Sequence, residues 1–191
     1  MIRRVLASAS PRRREILATL GIAFDVVASD VDEDALGVGL PPVELATRLA
    51  LAKARDVAAR EAGFVLGADT VVVAGDAVLG KPRDDVDATR MIARLAGAAH
   101  EVITGVAVVG GGFCEAVAVS TRVWFRALDA ATVARYVATG EGRDKAGAYA
   151  VQGVGAGLVT RIEGSYTNVV GLPAAETIAL LERAGALEGW P

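Results

Sequence analysis

Three consecutive arginines follow a junction between an apolar strand and a helix near the N-terminus. Ser10 and Pro11 are a typical helix start, which places Arg12, Arg13 and Arg14 in the first helical turn. The N-terminal end of a helix carries partial positive charge, so these cations destabilise the helix unless an anion binds there. Backbone N–H groups, hydroxyls and guanidinium groups at such a junction suit a phosphate. The segment therefore indicates a phosphate site, with a solvated arginine cluster as the alternative.

A second group of residues combines carboxylates with lysines. Asp69 is predicted to end an apolar strand, and ligands bind at that edge of an open α/β sheet. Glu33 lies in an acidic loop, Lys53 borders the apolar face of a helix, and Lys81 follows a predicted hairpin. Asp69 and Glu33 would suit one or two Mg²⁺ ions that also bind phosphate oxygens and water. Each residue alone is more typical of a structural role, and the prediction depends on their combination with the arginines.

The Gly-rich stretch 144–153 indicates a function less specifically than the two groups of residues above. Its Gln152 has the donor and the acceptor needed to read the edge of a base, but a long ordered loop is the favoured interpretation of the pattern alone. His100 is the only histidine, and a structural role is as reasonable for it as a catalytic one. Cys114 is predicted to be a small core residue. The sequence contains no cysteine cluster, GxGxxG or P-loop motif, which argues against zinc, dinucleotide and P-loop chemistry.

Composition limits the class of protein. The chain has 191 residues, 53% of them hydrophobic and 23% charged, which predicts one domain over residues 1–191. The net charge of −3 argues against bulk binding of nucleic acid. A single cysteine excludes an intramolecular disulfide and favours a cytoplasmic location. No stretch of about 18 apolar residues occurs, so we expect no membrane span.

Strand and helix patterns alternate along the chain. The predicted strands cover residues 5–8, 24–28, 64–68, 70–74, 77–79, 101–109, 113–125 and 158–162. The predicted helices start at residues 11, 42, 84, 129 and 173, and residues 29–40 are predicted to be a loop. This alternation predicts an α/β fold with a mixed sheet flanked by helices.

Six motifs in this chain resemble those of the Maf family of nucleotide pyrophosphatases, in the family's order and over nearly the whole length. They are Leu6–Arg13, Gly67–Thr70, Gly80–Pro82, Gly97 with His100 and Thr104–Val106, Asp144–Tyr149, and Asn168–Pro173. The resemblance implies a mixed α/β fold with a deep central cleft, related to inosine triphosphate pyrophosphatases. It implies a hydrolase that acts on acid anhydrides, cutting a nucleoside triphosphate to the monophosphate and pyrophosphate with a divalent metal, Mg²⁺ or Mn²⁺.

The resemblance also assigns roles to residues. Asp69 matches the family's catalytic proton acceptor, and Glu33 with Asp69 matches the acidic residues near the metal. The positions that match polar and phosphate-binding residues are Ser8, Ser10, Arg12, Arg13, Lys53 and Lys81.

Three positions bear on the substrate. Arg12, Thr70 and Gln152 resemble the subgroup that acts on dTTP and UTP, and a Gln pairs well with the O4 and N3–H edge of a pyrimidine. The resemblance implies house-cleaning of nucleotide pools and a homodimer. The alternative function is a nucleotide-binding regulator of cell division and septum formation without significant turnover.

Overall fold

The computed structural model describes residues 2–36 and 39–191. The chain divides into two compact units. The first comprises residues 1–69, 104–119 and 171–191, and the second comprises residues 70–103 and 120–170. This division does not test the predicted single domain over residues 1–191, which therefore stays a prediction.

The described residues form seven strands and seven α-helices. The strands are β1 (Arg4–Leu6), β2 (Asp25–Val26), β3 (Phe64–Ala74), β4 (Ala77–Leu79), β5 (Ala99–Gly110), β6 (Phe113–Phe125) and β7 (Val159–Glu163). The helices are α1 (Pro11–Thr19), α2 (Glu33–Leu36), α3 (Pro42–Ala58), α4 (Asp85–Leu95), α5 (Ala130–Ala138), α6 (Tyr166–Val170) and α7 (Ala174–Arg183), with 3₁₀ turns at Ala146–Ala148 and Val154–Leu158.

The strands pair in the order β2-β1-β3-β5-β6-β7, and β4 pairs with β3. β1 runs parallel to both β2 and β3, whereas β4 is antiparallel to β3 and β7 is antiparallel to β6. The predicted mixed α/β fold is therefore confirmed. The hairpin predicted at Gly75 and Asp76 is confirmed as well, because Ala74 pairs with Ala77 across it.

The structure corrects the prediction that a strand ends at Asp69. β3 continues through Asp69 to Ala74, so this carboxylate lies inside a strand. The pairing of β1 with β3 nevertheless stops at Leu6 and Leu66. Asp69 therefore lies three residues beyond Leu66, the last residue of β3 that pairs with β1.

One other prediction is wrong, and one helix was not predicted. The segment 29–40, predicted to be a loop, contains the short helix α2, and its residues 37 and 38 lie outside the described part of the chain. A helix at Tyr166–Val170 was not predicted. The helix predicted to start at residue 84 is confirmed, because Asp84 accepts a hydrogen bond from the backbone of Asp87 and caps α4.

The first unit has a core of small and branched apolar side chains from β1, α3 and β3. Helix α3 can approach the sheet closely because two facing residues are glycines. A Cβ at Gly67 would lie 2.2 Å from the backbone oxygen of Ala50, and a Cβ at Gly105 would lie 2.1 Å from that of Ala46. Side chains at either glycine would force the helix away from the strands.

The helices within residues 2–36 and 39–191 are too short or too polar to span a membrane.

Candidate functional site

The first unit contains a buried lysine that bridges two carboxylates. Lys53 Nζ lies 2.6 Å from Asp69 Oδ1 and 2.7 Å from Glu33 Oε1. Lys53 and Asp69 are each only 7% exposed, whereas the Glu33 side chain is 43% exposed. A buried ammonium group needs such partners, because an unpaired charge away from water costs several kcal/mol. The structure thus brings together three residues predicted from separate segments.

The glycine contact between α3 and β3 explains how Lys53 reaches Asp69. Gly67 and Asp69 are two residues apart in a strand, so they share one face of the sheet. Ala50 lies against Gly67, and Lys53 follows Ala50 by three residues, which places it one helical turn further along the same face. The packing of small residues therefore sets the position of a charged pair.

Arg13 is the second buried cation of this unit. Its Nη1 donates a hydrogen bond to Ser8 Oγ at 3.0 Å, and its Nε donates one to the backbone oxygen of Gly171 at 2.8 Å. Burial lowers the pKa of Arg13, while the negative charges of Asp69 and Glu33 oppose this shift. An arginine remains charged even so, so Arg13 is a fixed positive group held close to both carboxylates.

The start of α1 is where an anion site is predicted, and that site stays a prediction. Ser10 occupies the N-cap position, but its side chain makes no capping hydrogen bond, and no acidic residue lies in the first turn. The backbone N–H of Ser10 instead donates to Ser8 Oγ at 3.3 Å. Because the first N–H groups of a helix have no intrahelical acceptors, this end remains suited to an anion. Arg12, half-buried, lies in the same turn.

Glu33 and Asp69 are the predicted metal ligands. Glu33 and Asp69 each direct a carboxylate oxygen at Lys53 Nζ, so the cation that they share in this structure is the lysine ammonium group. Within residues 2–36 and 39–191, no cluster of three or more His, Cys, Asp or Glu side chains could hold a metal. Two carboxylates fit Mg²⁺ or Mn²⁺ that also binds substrate phosphates and water, and they do not form an all-protein cage.

The second unit contains Thr70, Lys81 and Gln152. Thr70 is half-buried in β3, and Lys81 and Gln152 are exposed. The side chains of Lys81 and Gln152 make no hydrogen bond within the described residues, so both are available to a ligand. Contact of these three residues with the substrate stays a prediction.

Two of the sequence motifs meet inside the second unit. The backbone N–H of Gly147 donates to the backbone oxygen of Gly80 at 3.1 Å, which joins the segment before Lys81 to the stretch 144–149. Ala148 next to it has φ of +60°, a left-handed conformation that is uncommon for a residue with a side chain. Strained backbone of this kind is frequent where a fold holds a ligand.

His100 has a structural environment. Its Nε2 lies 2.8 Å from the hydroxyl of Tyr149, and the rings of Phe125 and Tyr149 pack edge-on against it. Burial lowers the pKa of His100 to about 4, so the imidazole is neutral near pH 7. The structural interpretation is therefore favoured over acid catalysis. Cys114 is exposed, so the prediction that it is a core residue is wrong.

Sequence reasoning missed Glu141 and Tyr136. The Tyr136 hydroxyl donates to Glu141 Oε2 at 2.9 Å, and both side chains bind backbone N–H groups of the loop that carries Gln152. An acidic residue just before a Gly-rich stretch was the available signal. Its partners are 13 and 14 residues away, so no local capping pattern reveals them.

This chain is similar to the proteins of one family over nearly its whole length. The family model described as Maf-like protein matches residues 3–184. The dTTP/UTP pyrophosphatase of Geobacter sulfurreducens is 53% identical over 188 residues, covering 96% of this chain and 97% of the relative. That of Myxococcus xanthus is 53% identical over 187 residues, covering 97% and 94%.

Among solved structures, a HAM1 protein from Coxiella burnetii has a TM-score of 0.39 and 14% sequence identity. It covers 65% of this chain and 73% of its own. This similarity is too low to bear on the function.

Proposed function

This chain belongs to the Maf family, and from that premise we propose that it hydrolyses dTTP and UTP to the monophosphate and pyrophosphate. The observation that carries the proposal is the buried group of Arg13, Lys53 and Asp69 beside the start of α1. It combines cations for phosphate oxygens with a carboxylate for a water molecule. House-cleaning of nucleotide pools is the corresponding role.

The chemical step is an attack of water on the α-phosphorus. A bond forms between the water oxygen and the α-phosphorus, the bond to the bridging oxygen breaks, and pyrophosphate leaves. Asp69 accepts the proton of the water. Lys53 occupies Oδ1 of Asp69. Within the described residues Oδ2 has no hydrogen-bond partner, so we assign the water to Oδ2.

The positive groups of the first unit hold the phosphates. Arg13 cannot swing freely, because Ser8 and the backbone of Gly171 fix its guanidinium. A fixed cation stabilises the charge that develops on the leaving pyrophosphate without reorganising during the reaction. Ser8, Ser10 and Arg12 supply further polar contacts at the start of the helix.

Glu33 and Asp69 are the residues that would hold a divalent metal ion, with Mg²⁺ or Mn²⁺ as the candidates. When bound, the ion neutralises phosphate charge and acidifies a coordinated water molecule. In the second unit, we assign phosphate binding to Lys81. The specificity residues are Thr70 and Gln152 together with Arg12, and the amide of Gln152 pairs with the O4 and N3–H edge of a pyrimidine.

Three further expectations belong to this proposal. The enzyme acts in the cytoplasm, where its nucleotide substrates are used, and it forms a homodimer. It has no nucleic-acid partner, in keeping with the net charge of −3.

The test measures pyrophosphate and monophosphate release from dTTP, UTP, CTP, GTP, 7-methyl-GTP and ITP. Each reaction contains Mg²⁺, Mn²⁺ or excess chelator. We expect metal-dependent cleavage of dTTP and UTP above the other substrates. Cleavage confined to purines would contradict the specificity assignment, and binding without any cleavage would favour the regulatory function.

A further inference from the structure

Two side chains of the second unit, Tyr136 and Glu141, hold one short loop by its backbone. The Tyr136 hydroxyl accepts the N–H of Ala150 at 3.1 Å and donates to Glu141 Oε2. Glu141 Oε1 accepts the N–H of Val154, and its Oε2 accepts that of Gly155, both at 2.8 Å. Four hydrogen bonds thus form one connected network.

The network holds the loop on both sides of Gln152. Ala150 lies two residues before Gln152, and Val154 lies two residues after it. The N–H groups of Val154 and Gly155 begin a 3₁₀ turn, where backbone donors lack acceptors within the turn. Glu141 supplies these acceptors from a distant part of the sequence. The position of Gln152 therefore depends on two side chains that are not its neighbours in the chain.

Two glycines make room for the network. Gly153 has φ of +86°, and a Cβ there would lie 2.2 Å from Glu141 Oε1. A Cβ at Gly155 would lie 2.9 Å from the hydroxyl of Tyr136. The loop therefore has a glycine at each of the two positions where Glu141 and Tyr136 contact its backbone. Burial also raises the pKa of Tyr136, which keeps its hydroxyl protonated as a donor to Glu141.

We propose that Glu141 and Tyr136 are positioning residues for base selection, acting through Gln152. The inference rests on the proposed function, in which the Gln152 amide reads the pyrimidine edge. An exposed amide selects a base only if its backbone is held in one place, because hydrogen bonds depend on both distance and angle. Neither Glu141 nor Tyr136 touches the substrate in this account.

The experiment compares kcat and KM for dTTP and GTP in Glu141→Ala, Tyr136→Phe and Gln152→Ala variants. We expect the ratio of kcat/KM for dTTP over GTP to fall between about tenfold and about a hundredfold in each, because displaced contacts of this kind cost that much. The fall should come from a higher KM for dTTP, with kcat nearly unchanged. Tyr136→Phe keeps the buried ring, so it remains informative if Glu141→Ala folds poorly.

The double variant Glu141→Ala/Gln152→Ala separates positioning from general damage. If Glu141 acts through Gln152, the second substitution adds nothing to the loss of selectivity. The matched control is Arg143→Ala, because Arg143 lies on the same segment as Glu141. This substitution breaks an exposed ion pair with Asp85 and leaves the network intact. This control should keep the wild-type ratio.

The failures are distinguishable. A wild-type enzyme that cleaves no pyrimidine triphosphate contradicts the proposed function itself, and with it this inference. If Gln152→Ala loses selectivity while Glu141→Ala and Tyr136→Phe keep it, only the inference is overturned. Additive losses in the double variant, or equal losses with dTTP and GTP, also overturn it, because they indicate a purely structural role.

Discussion

The two units carry their polar residues in different ways. In the first unit, Arg13, Lys53 and Asp69 are buried on two helices and a strand. Lys53 pairs with Asp69, and Arg13 is held by Ser8 and the backbone of Gly171. In the second unit, Lys81 and Gln152 are exposed, and only the backbone around them is held. In the proposed function, the groups for bond cleavage are therefore fixed by packing, whereas the base-selecting amide of Gln152 is placed on an anchored loop.

The largest effect should follow from Asp69→Asn, which tests the buried group directly. The amide cannot accept the proton of water, so kcat should fall by about 10²-fold to 10⁴-fold. Steady-state kinetics with dTTP measure the loss, and circular dichroism should show an unchanged fold. Wild-type turnover in this variant would show that the first unit does not carry the chemistry.

A pair of lysine variants compares the two units. Lys53→Met leaves Asp69 buried without its partner, and unfolding in urea should show a loss of stability of about 3 kcal/mol. Lys81→Met should leave the urea midpoint unchanged and raise KM for dTTP about tenfold, the value of one hydrogen bond to a charged group. Equal stability effects in both variants would remove the distinction between the units.

Glycine substitutions test the role of packing. Gly67→Ala should lower stability by about 1–3 kcal/mol, because its Cβ meets the backbone of α3. It should also lower kcat, since a displaced α3 moves Lys53 away from Asp69. Gly157→Ala is the control, with nothing within 4 Å of the added Cβ. Thermal melts and kinetics that do not separate the two variants would contradict this account.

The smallest effect concerns His100. Its pKa of about 4 lies below the 6.5 of an unfolded histidine, so the unfolded chain binds the proton first as pH falls. The contribution of the neutral His100 imidazole to the free energy of unfolding is fully present above pH 6.5. It declines as the pH falls towards 4, and about 1 kcal/mol of it is lost at pH 5.5. Urea unfolding at pH 7 and at pH 5.5 measures this loss of stability. His100→Gln should lose this part of the pH dependence, and an unchanged slope would contradict the buried neutral imidazole.

Local patterns predicted the elements better than the contacts between them. The caps at Asp84 and Asp129 involve residues three positions apart, so the sequence shows them. The strand end at Asp69 was wrong, because a carboxylate inside an apolar strand is compensated by Lys53, 16 residues away. Glu141 was missed for the same reason, since its partners are defined only after the loop folds.

The central claim is that the groups around Asp69 direct water to the α-phosphorus. Hydrolysis of dTTP in ¹⁸O-labelled water, followed by mass spectrometry of both products, tests it most directly. The account predicts one ¹⁸O atom in the monophosphate and none in the pyrophosphate. Label in the pyrophosphate would place the attack on the β-phosphorus and contradict the account.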